Sequence, residues 1–478
     1  MNKRMINYLA VAVLLLGLAA CGGSSGGGGG AGLNGATSVT GTVYSASGDP
    51  VPGTTVYIPG ATVSAMTVNK ATRSFNKAVV NPDGTSCEDP LSGDNAQASA
   101  CAGQDGSFNI DTSALTSGTQ IVFQRGALRM IMNLNCTSSI IAAGVCTLPT
   151  TDTSFGGGST TWPRVAVVTG LWDRMEDVLA KLADSNTTDD TNGQYGRVDA
   201  STGIFVYGSE YGTNLTIIDG TGFTTPTENV DNVGTYKTWN TYLDGTNPLV
   251  SGGAPVFDII FINCGNSYEA TQLIPNIATL QAYVNAGGRL YVTDLSYDHI
   301  EQSFPQFMQF ANDPADPDTP GVLGAAEVGS AVEPDGVTPL TVNAAVNEAG
   351  MATWLADVNV NRHDATTPGN PDFDCAAAPY DQITSALTTN SLIPLGDFLG
   401  GWAHMDGAHT GYTPTIWISS GTGVVFNGLT NRPLTASMSS GANGGLLVYS
   451  SYHTAHSCPT PTFWPQERVL QYLIFEAF

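Results

Sequence analysis

Three side chains here are of the kinds that do nucleophilic work. Cys264 follows the apolar run Asp258–Asn263, Ser296 lies just past Arg289–Thr293, and His453 just past Gly445–Ser450. A thiol or hydroxyl becomes a nucleophile when an imidazole takes its proton, so Cys264 or Ser296 with His453 would make a hydrolase pair. His299 is a second conceivable base for Ser296. Against this, Ser296 lacks the Gly-x-Ser-x-Gly of a nucleophile elbow, and Cys264 also reads as a small buried thiol at a strand end. Asp294, Tyr297, Asp298 and Glu301 crowd one strand-to-helix junction. Such groups would hold a cation or sugar hydroxyls; capping by Asp294 or Ser296, with acids in the first helical turn, accounts for part of the cluster. His404-x-Asp406-x-x-His409 and His453-x-x-His456 offer nitrogen and oxygen donors, but neither has the His-Glu-x-x-His spacing, so no metal is specified. Two acidic loops, Asp184 to Gly193 and Asn312 to Asp318, have the oxygen chemistry calcium takes, without EF-hand spacing; solvated acidic loops are the plainer reading.

The elements that must position these groups read as strands and helices in alternation. Arg164 to Gly170 is a buried-strand run, and Met175, Val178, Leu179 and Leu182 follow at helical spacing. Strand Phe257–Asn263, helix Ile274–Val284 and strand Arg289–Thr293 come next, with Gly287-Gly288 placed to end the helix. Strand Gly445–Ser450 and helix Gln466–Phe475 complete the series. Continuous apolar strands separated by helices predict a parallel sheet covered on both faces, in a domain spanning 163–478. Residues 39–150 have another texture. Short runs such as Thr54–Ile58, Ser107–Ile110 and Ile121–Phe123 are broken by turns, Ser47-Gly48-Asp49-Pro50 among them, and predict an Ig-like β-sandwich.

At 478 residues the chain has length for two domains. Its 16 basic and 41 acidic residues give a net charge of −25, which repels nucleic acid and excludes it as a partner. A hydrophobic content of 42% argues against disorder. The beginning has the form of an export signal: Lys3 and Arg4, an apolar run Tyr8–Leu18, then Leu18-Ala19-Ala20-Cys21. That run is shorter than the ~20 residues needed to span a bilayer. The ending resembles the lipobox of bacterial lipoproteins, which implies lipidation at Cys21, loss of signal peptide 1–20 and attachment to a membrane through the lipid. Gly22, by the same resemblance, favours the outer membrane. A Gly/Ser-rich linker occupies 21–38. Export suits disulfides: Cys87 with Cys101, Cys136 with Cys146, and Cys375 with Cys458, leaving Cys264 odd.

Two further resemblances follow from quoted residues. Gly41-Thr42-Val43-Tyr44, Pro52-Gly53-Thr54-Thr55-Val56-Tyr57 and Asp105-Gly106-Ser107-Phe108 resemble carboxypeptidase regulatory-like domains of the carbohydrate-binding-like sandwich group. Such modules are spacers or binders, and Thr62 to Ala100 departs from the pattern as an insertion. Asp258 to Gly265, Tyr283 to Leu290 and Tyr449 to His453 resemble class I glutamine amidotransferase-like and ThuA-like domains, which implies a doubly wound, flavodoxin-like α/β fold. In that family the nucleophilic cysteine stands on the turn that here reads Val292-Thr293-Asp294-Leu295-Ser296. No cysteine stands there. The expectation is a surface lipoprotein that binds carbohydrate or envelope partners without catalysis; the alternative is an envelope hydrolase using Cys264 or Ser296 with His453.

Overall fold

A computed structural model describes residues 32–63, 77–115, 118–155, 159–183, 195, 197–198, 205–206, 214–220, 237–268, 273–310, 321, 328–329, 342–363, 380–395, 402–421, 430–440, 444–453 and 463–477. Cys21, Cys375, Cys458, His456 and both acidic loops lie outside them. Among the described residues no helix is long and apolar enough to cross a membrane.

Between residues 32 and 161 the described residues form two main sheets beside a short hairpin that pairs Lys77–Val80 with Ser86–Glu88. One contains β1 (Ser38–Thr42), β4 (Ser107–Asp111), β7 (Ile141–Ala142) and β8 (Val145–Thr147), in the order β4-β1-β8-β7. The other contains β2 (Thr55–Pro59), β3 (Ala96–Cys101), β5 (Gln120–Arg125), β6 (Leu128–Asn133) and β9 (Ser159–Thr161), in the order β9-β6-β5-β2-β3. Alternation along β4 buries Phe108 and Ile110 and exposes the residues between. Phe108 meets Phe123 of β5 edge to face at 5.7 Å, so the two sheets pack against each other around a shared core with Val39, Val56 and Ile58. The arrangement is compatible with a β-sandwich. Leu33 and Ala36, within the stretch read as linker, are buried in this core, and β9 carries the unit past residue 150. Part of the insertion belongs to the sheet, since β3 pairs with β2 and is tied by Cys101 to Cys87. Cys136 bonds Cys146, as the spacing implied.

A nine-stranded sheet dominates the remainder. Its strands are β10 (Val165–Val168), β11 (Leu215–Ile218), β12 (Ile259–Ile262), β13 (Arg289–Thr293), β14 (Val342–Val346), β15 (Leu392–Leu395), β16 (Thr415–Ser419), β17 (Pro433–Ser440) and β18 (Gly445–Ser450). The order is β11-β10-β12-β13-β18-β17-β16-β14-β15. The first five are parallel; the other four add on antiparallel. The sheet is therefore mixed, where continuous apolar strands alone had predicted a parallel one.

The parallel strands are apolar throughout because each face feeds a different core. Val165, Val167, Ile259, Phe261, Tyr291 and Val448 pack on helices α1 (Met175–Ala183), α5 (Ala349–Ala356) and α6 (Pro465–Ala477). The alternate residues Ala166, Val168, Ile260, Ile262, Leu290 and Val292 pack on α2 (Trp239–Leu243), α3 (Ile277–Asn285) and the short α4 (Asp298–Glu301). Gly287 ends α3 at φ 94°, and a side chain on Gly288 would collide with the Tyr283 ring. The two parts of the molecule share one continuous core. Polar contacts secure the junction: Arg468 and Gln471 of α6 donate to the Asp49 carboxylate at 2.7 and 3.0 Å, and the Trp354 indole donates to the Pro50 carbonyl at 3.0 Å.

Candidate functional site

The carboxyl ends of β12, β13 and β18 are neighbours, and in open α/β sheets ligands bind at such ends. Chain direction alone thus brings together Cys264, two residues past β12, Asp294, directly past β13, and His453, three past β18. Asp294 is the hub. Its Oδ2 lies 3.1 Å from His453 Nε2 and accepts from Cys264 Sγ at 3.6 Å. Its Oδ1 accepts the Ala403 N–H at 3.0 Å, and its carbonyl accepts the Tyr449 hydroxyl at 2.9 Å. Thr293 Oγ1 accepts the Cys264 N–H at 3.0 Å. All three members are buried. Burial pushes the Asp294 carboxyl above its usual range, and the pairing with His453 opposes that rise.

Asp294 occupies the turn directly after β13. Its φ is +46°, a left-handed backbone that Asp tolerates better than most residues with a side chain. Strained conformations of this kind persist where the surroundings hold them. Cys264 and His453 are united by the structure, but the carboxylate lies between thiol and imidazole.

The other nucleophile reading meets a different geometry. Ser296 Oγ donates to the Asn263 carbonyl at 2.9 Å and receives the Asn266 amide at 2.5 Å. His299 faces the main-chain carbonyl of Ser296, not its hydroxyl, at 3.0 Å. The Trp239 indole donates to His299 Nε2 at 3.0 Å, which fixes the proton on Nδ1. Burial pushes His299 down to about 4, so it stays neutral at physiological pH. Tyr297 packs on the Phe310 ring at 4.8 Å as part of the core. Asp298 accepts from Gln302 at 3.2 Å, and both Asp298 and Glu301 are buried in the turn after Asp294. The polar cluster therefore sits at the junction, facing inward.

The His404-x-Asp406-x-x-His409 donors are divided. Asp406 pairs with Arg432, and the His404 ring stacks on Trp402 at 4.0 Å. Burial and then the Arg432 charge push His404 down to about 4. Among the described residues one group of three metal-type donors converges, and it is Cys264, Asp294 and His453, with ligand atoms within 4.8 Å of one another. Sequence spacing missed it because the members are 30 and 159 residues apart; only strand order joins them.

Beside this trio lies the crevice between β10 and β12, where the chain order of the sheet reverses. Its two loops cross closely: Leu171 and Trp172 donate backbone N–H groups to Gly265 and Cys264 carbonyls at 3.2 Å each. A Cβ at Gly170 or Gly265 would strike the opposing backbone. The side chains of Leu171 and Trp172 stand 50% and 54% exposed above this crossing, an outcome composition did not foretell. A separate cleft of about 810 Å³ opens beyond the amino ends of β10 and β12, lined by Arg164, Lys237, Tyr242 and Phe257 among others.

No protein-family model matches this chain, and no curated protein matches it.

Proposed function

We propose that this chain is an outer-membrane or surface lipoprotein that binds carbohydrate of the cell envelope through the β10–β12 crevice, without catalysis. Its anchor would be lipidated Cys21, its first unit a carboxypeptidase regulatory-like sandwich, and its second a doubly wound, amidotransferase-like α/β domain. Supporting the last assignment are the parallel order β11-β10-β12-β13-β18, which is order 2-1-3-4-5 by chain position, and the helices on both sheet faces. The observation that carries the reading is the half-exposed Trp172 indole over the crevice mouth. An exposed aromatic face with a polar indole N–H at its edge offers a sugar ring a stacking surface. Full-length protein in detergent micelles, applied to glycan arrays and to immobilised envelope polysaccharide, tests this. Retention that drops at least tenfold in Trp172→Ala is expected. Absence of retention, or retention indifferent to that change, removes the proposal.

A second reading, an envelope hydrolase, gains from the convergence of Cys264 with His453. Activity-based cysteine- and serine-hydrolase probes address it directly. Labelling of the wild type that disappears in His453→Ala supports a hydrolase, and labelling that ignores the change ends that reading.

A further inference from the structure

We infer that Cys264 Sγ, Asp294 Oδ2 and His453 Nε2 form a binding site for a borderline-soft divalent transition metal, zinc foremost, with a fourth coordination position open. The donors are one sulfur, one oxygen and one nitrogen, the set zinc takes. The two separations from Asp294 suit a single ion. Bonds of about 2.0–2.3 Å in tetrahedral geometry place donors roughly 3.2–3.7 Å apart. Here Asp294 Oδ2 lies 3.1 Å from His453 Nε2 and 3.6 Å from Cys264 Sγ, and all three atoms fall within 4.8 Å.

Three features beyond spacing point the same way. First, the carboxylate is already oriented: Ala403 N–H holds Oδ1, which leaves Oδ2 turned toward the other two donors, as outer partners of metal carboxylates do. Second, the left-handed backbone at Asp294, which Asp tolerates, sets the hub carboxylate on the turn directly past β13. Third, Cys264 keeps its thiol, whereas the other four described cysteines are disulfide-bonded. Charge also balances. Thiolate, carboxylate and neutral imidazole sum to −2, and a divalent cation neutralises them inside a buried site. Binding breaks the Cys264 S–H bond and forms the metal–sulfur bond, the proton passing to solvent.

This inference does not depend on glycan binding, and its test is separate. Metal-stripped full-length protein is titrated with Co²⁺ and then Zn²⁺. One equivalent of cobalt is expected, with the intense visible bands of a tetrahedral ion and a near-ultraviolet thiolate-to-cobalt transition, both displaced by zinc. Cys264→Ser should erase the thiolate transition, and each of Cys264→Ser and His453→Ala should weaken affinity at least about 100-fold, beyond what outer-shell losses cost. His404→Ala and His409→Ala should leave stoichiometry intact, as should Trp172→Ala. Should the Cys264 variant fail to fold, X-ray absorption of the zinc-loaded wild type gives the answer: one sulfur scatterer at about 2.3 Å is expected. Failure to retain stoichiometric metal at micromolar concentration, a zinc shell without sulfur, or loss of metal in the His404 or His409 variants would each overturn the site.

Discussion

Two buried carboxylates, one in each part of the molecule, are held in contrasting ways. In the first, Asp94 receives the Tyr57 hydroxyl at 2.5 Å and the Arg129 guanidinium, with Gln124 also accepting from Tyr57. Its main partner carries a permanent charge. Tyr57 is raised above its ordinary range chiefly by burial, so it stays a neutral hydrogen-bond donor. In the second, Asp294 has a thiol and an imidazole beside it, both able to gain or lose a proton. Both carboxylates are buried; only the second has neighbours that can change state. A buried ion pair with a fixed charge maintains an arrangement, whereas a titratable set responds to protons and cations.

That contrast is open to direct attack. The largest effect is expected from Arg129→Met, which leaves Asp94 buried without its cation and should cost about 3–5 kcal/mol in denaturant unfolding. A cost below about 1 kcal/mol would mean that Tyr57 alone sustains the carboxylate. Next comes the covalent staple of the same region. Replacing Cys87 and Cys101 by alanine reopens a loop of 14 residues, and chain entropy puts the loss at about 3 kcal/mol. Thermal unfolding with and without reductant checks this, since reductant should shift the wild type by more than the double variant, which keeps only Cys136–Cys146.

At the carboxyl end of β13 the lever is pH. His299 has a folded value of about 4 against 6.5 when exposed, so the unfolded chain binds a proton between those values that the folded chain does not. The stability present above pH 6.5 is therefore lost as pH falls toward 4, by up to about 3 kcal/mol. The raised carboxyl of Asp294 acts in the opposite sense, its contribution fading as pH rises through its folded value. A His299→Gln protein should show a shallower decline on acidification; an unchanged slope would assign the decline elsewhere. The smallest effect is expected from Asp294→Asn, below about 1 kcal/mol. Asn accepts the Ala403 N–H and tolerates the left-handed backbone. Asp294→Val should cost roughly 1–2 kcal/mol more, because a branched side chain does not tolerate that backbone.

Much of the α/β architecture was legible because local pattern and tertiary burial agree there. The Arg289–Thr293 and Gly445–Ser450 strands fall where apolar runs placed them, and Gly287 closes α3 as its position suggested. The antiparallel strands β14 to β17 were hidden. β17, Pro433–Ser440, is rich in Thr and Ser yet mostly buried, and its neighbour β16 carries register shifts that interrupt strict alternation. For the site, sequence paired Cys264 with His453 as nucleophile and base and gave Asp294 another role. It assigned Asp294 to a sugar or cation pocket with Tyr297, Asp298 and Glu301, whereas strand order sets it between Cys264 and His453. Trp172 gave no signal, since an apolar residue ahead of a helix reads as ordinary core until its 54% exposure is seen.

The Asp49 contact with Arg468 and Gln471 also governs when the molecule can be finished. The partners are 419 and 422 residues apart, and Trp354, which holds Pro50, is 304 residues from it. A chain emerging from a ribosome or a translocation channel would present the Asp49 turn long before α6 exists. Closing so long a loop is entropically costly, and contacts of high sequence separation slow folding. The first sheets can pair early around their two short-range disulfides, but the face that receives α6 must wait uncovered. That interval is when a holding chaperone would matter most.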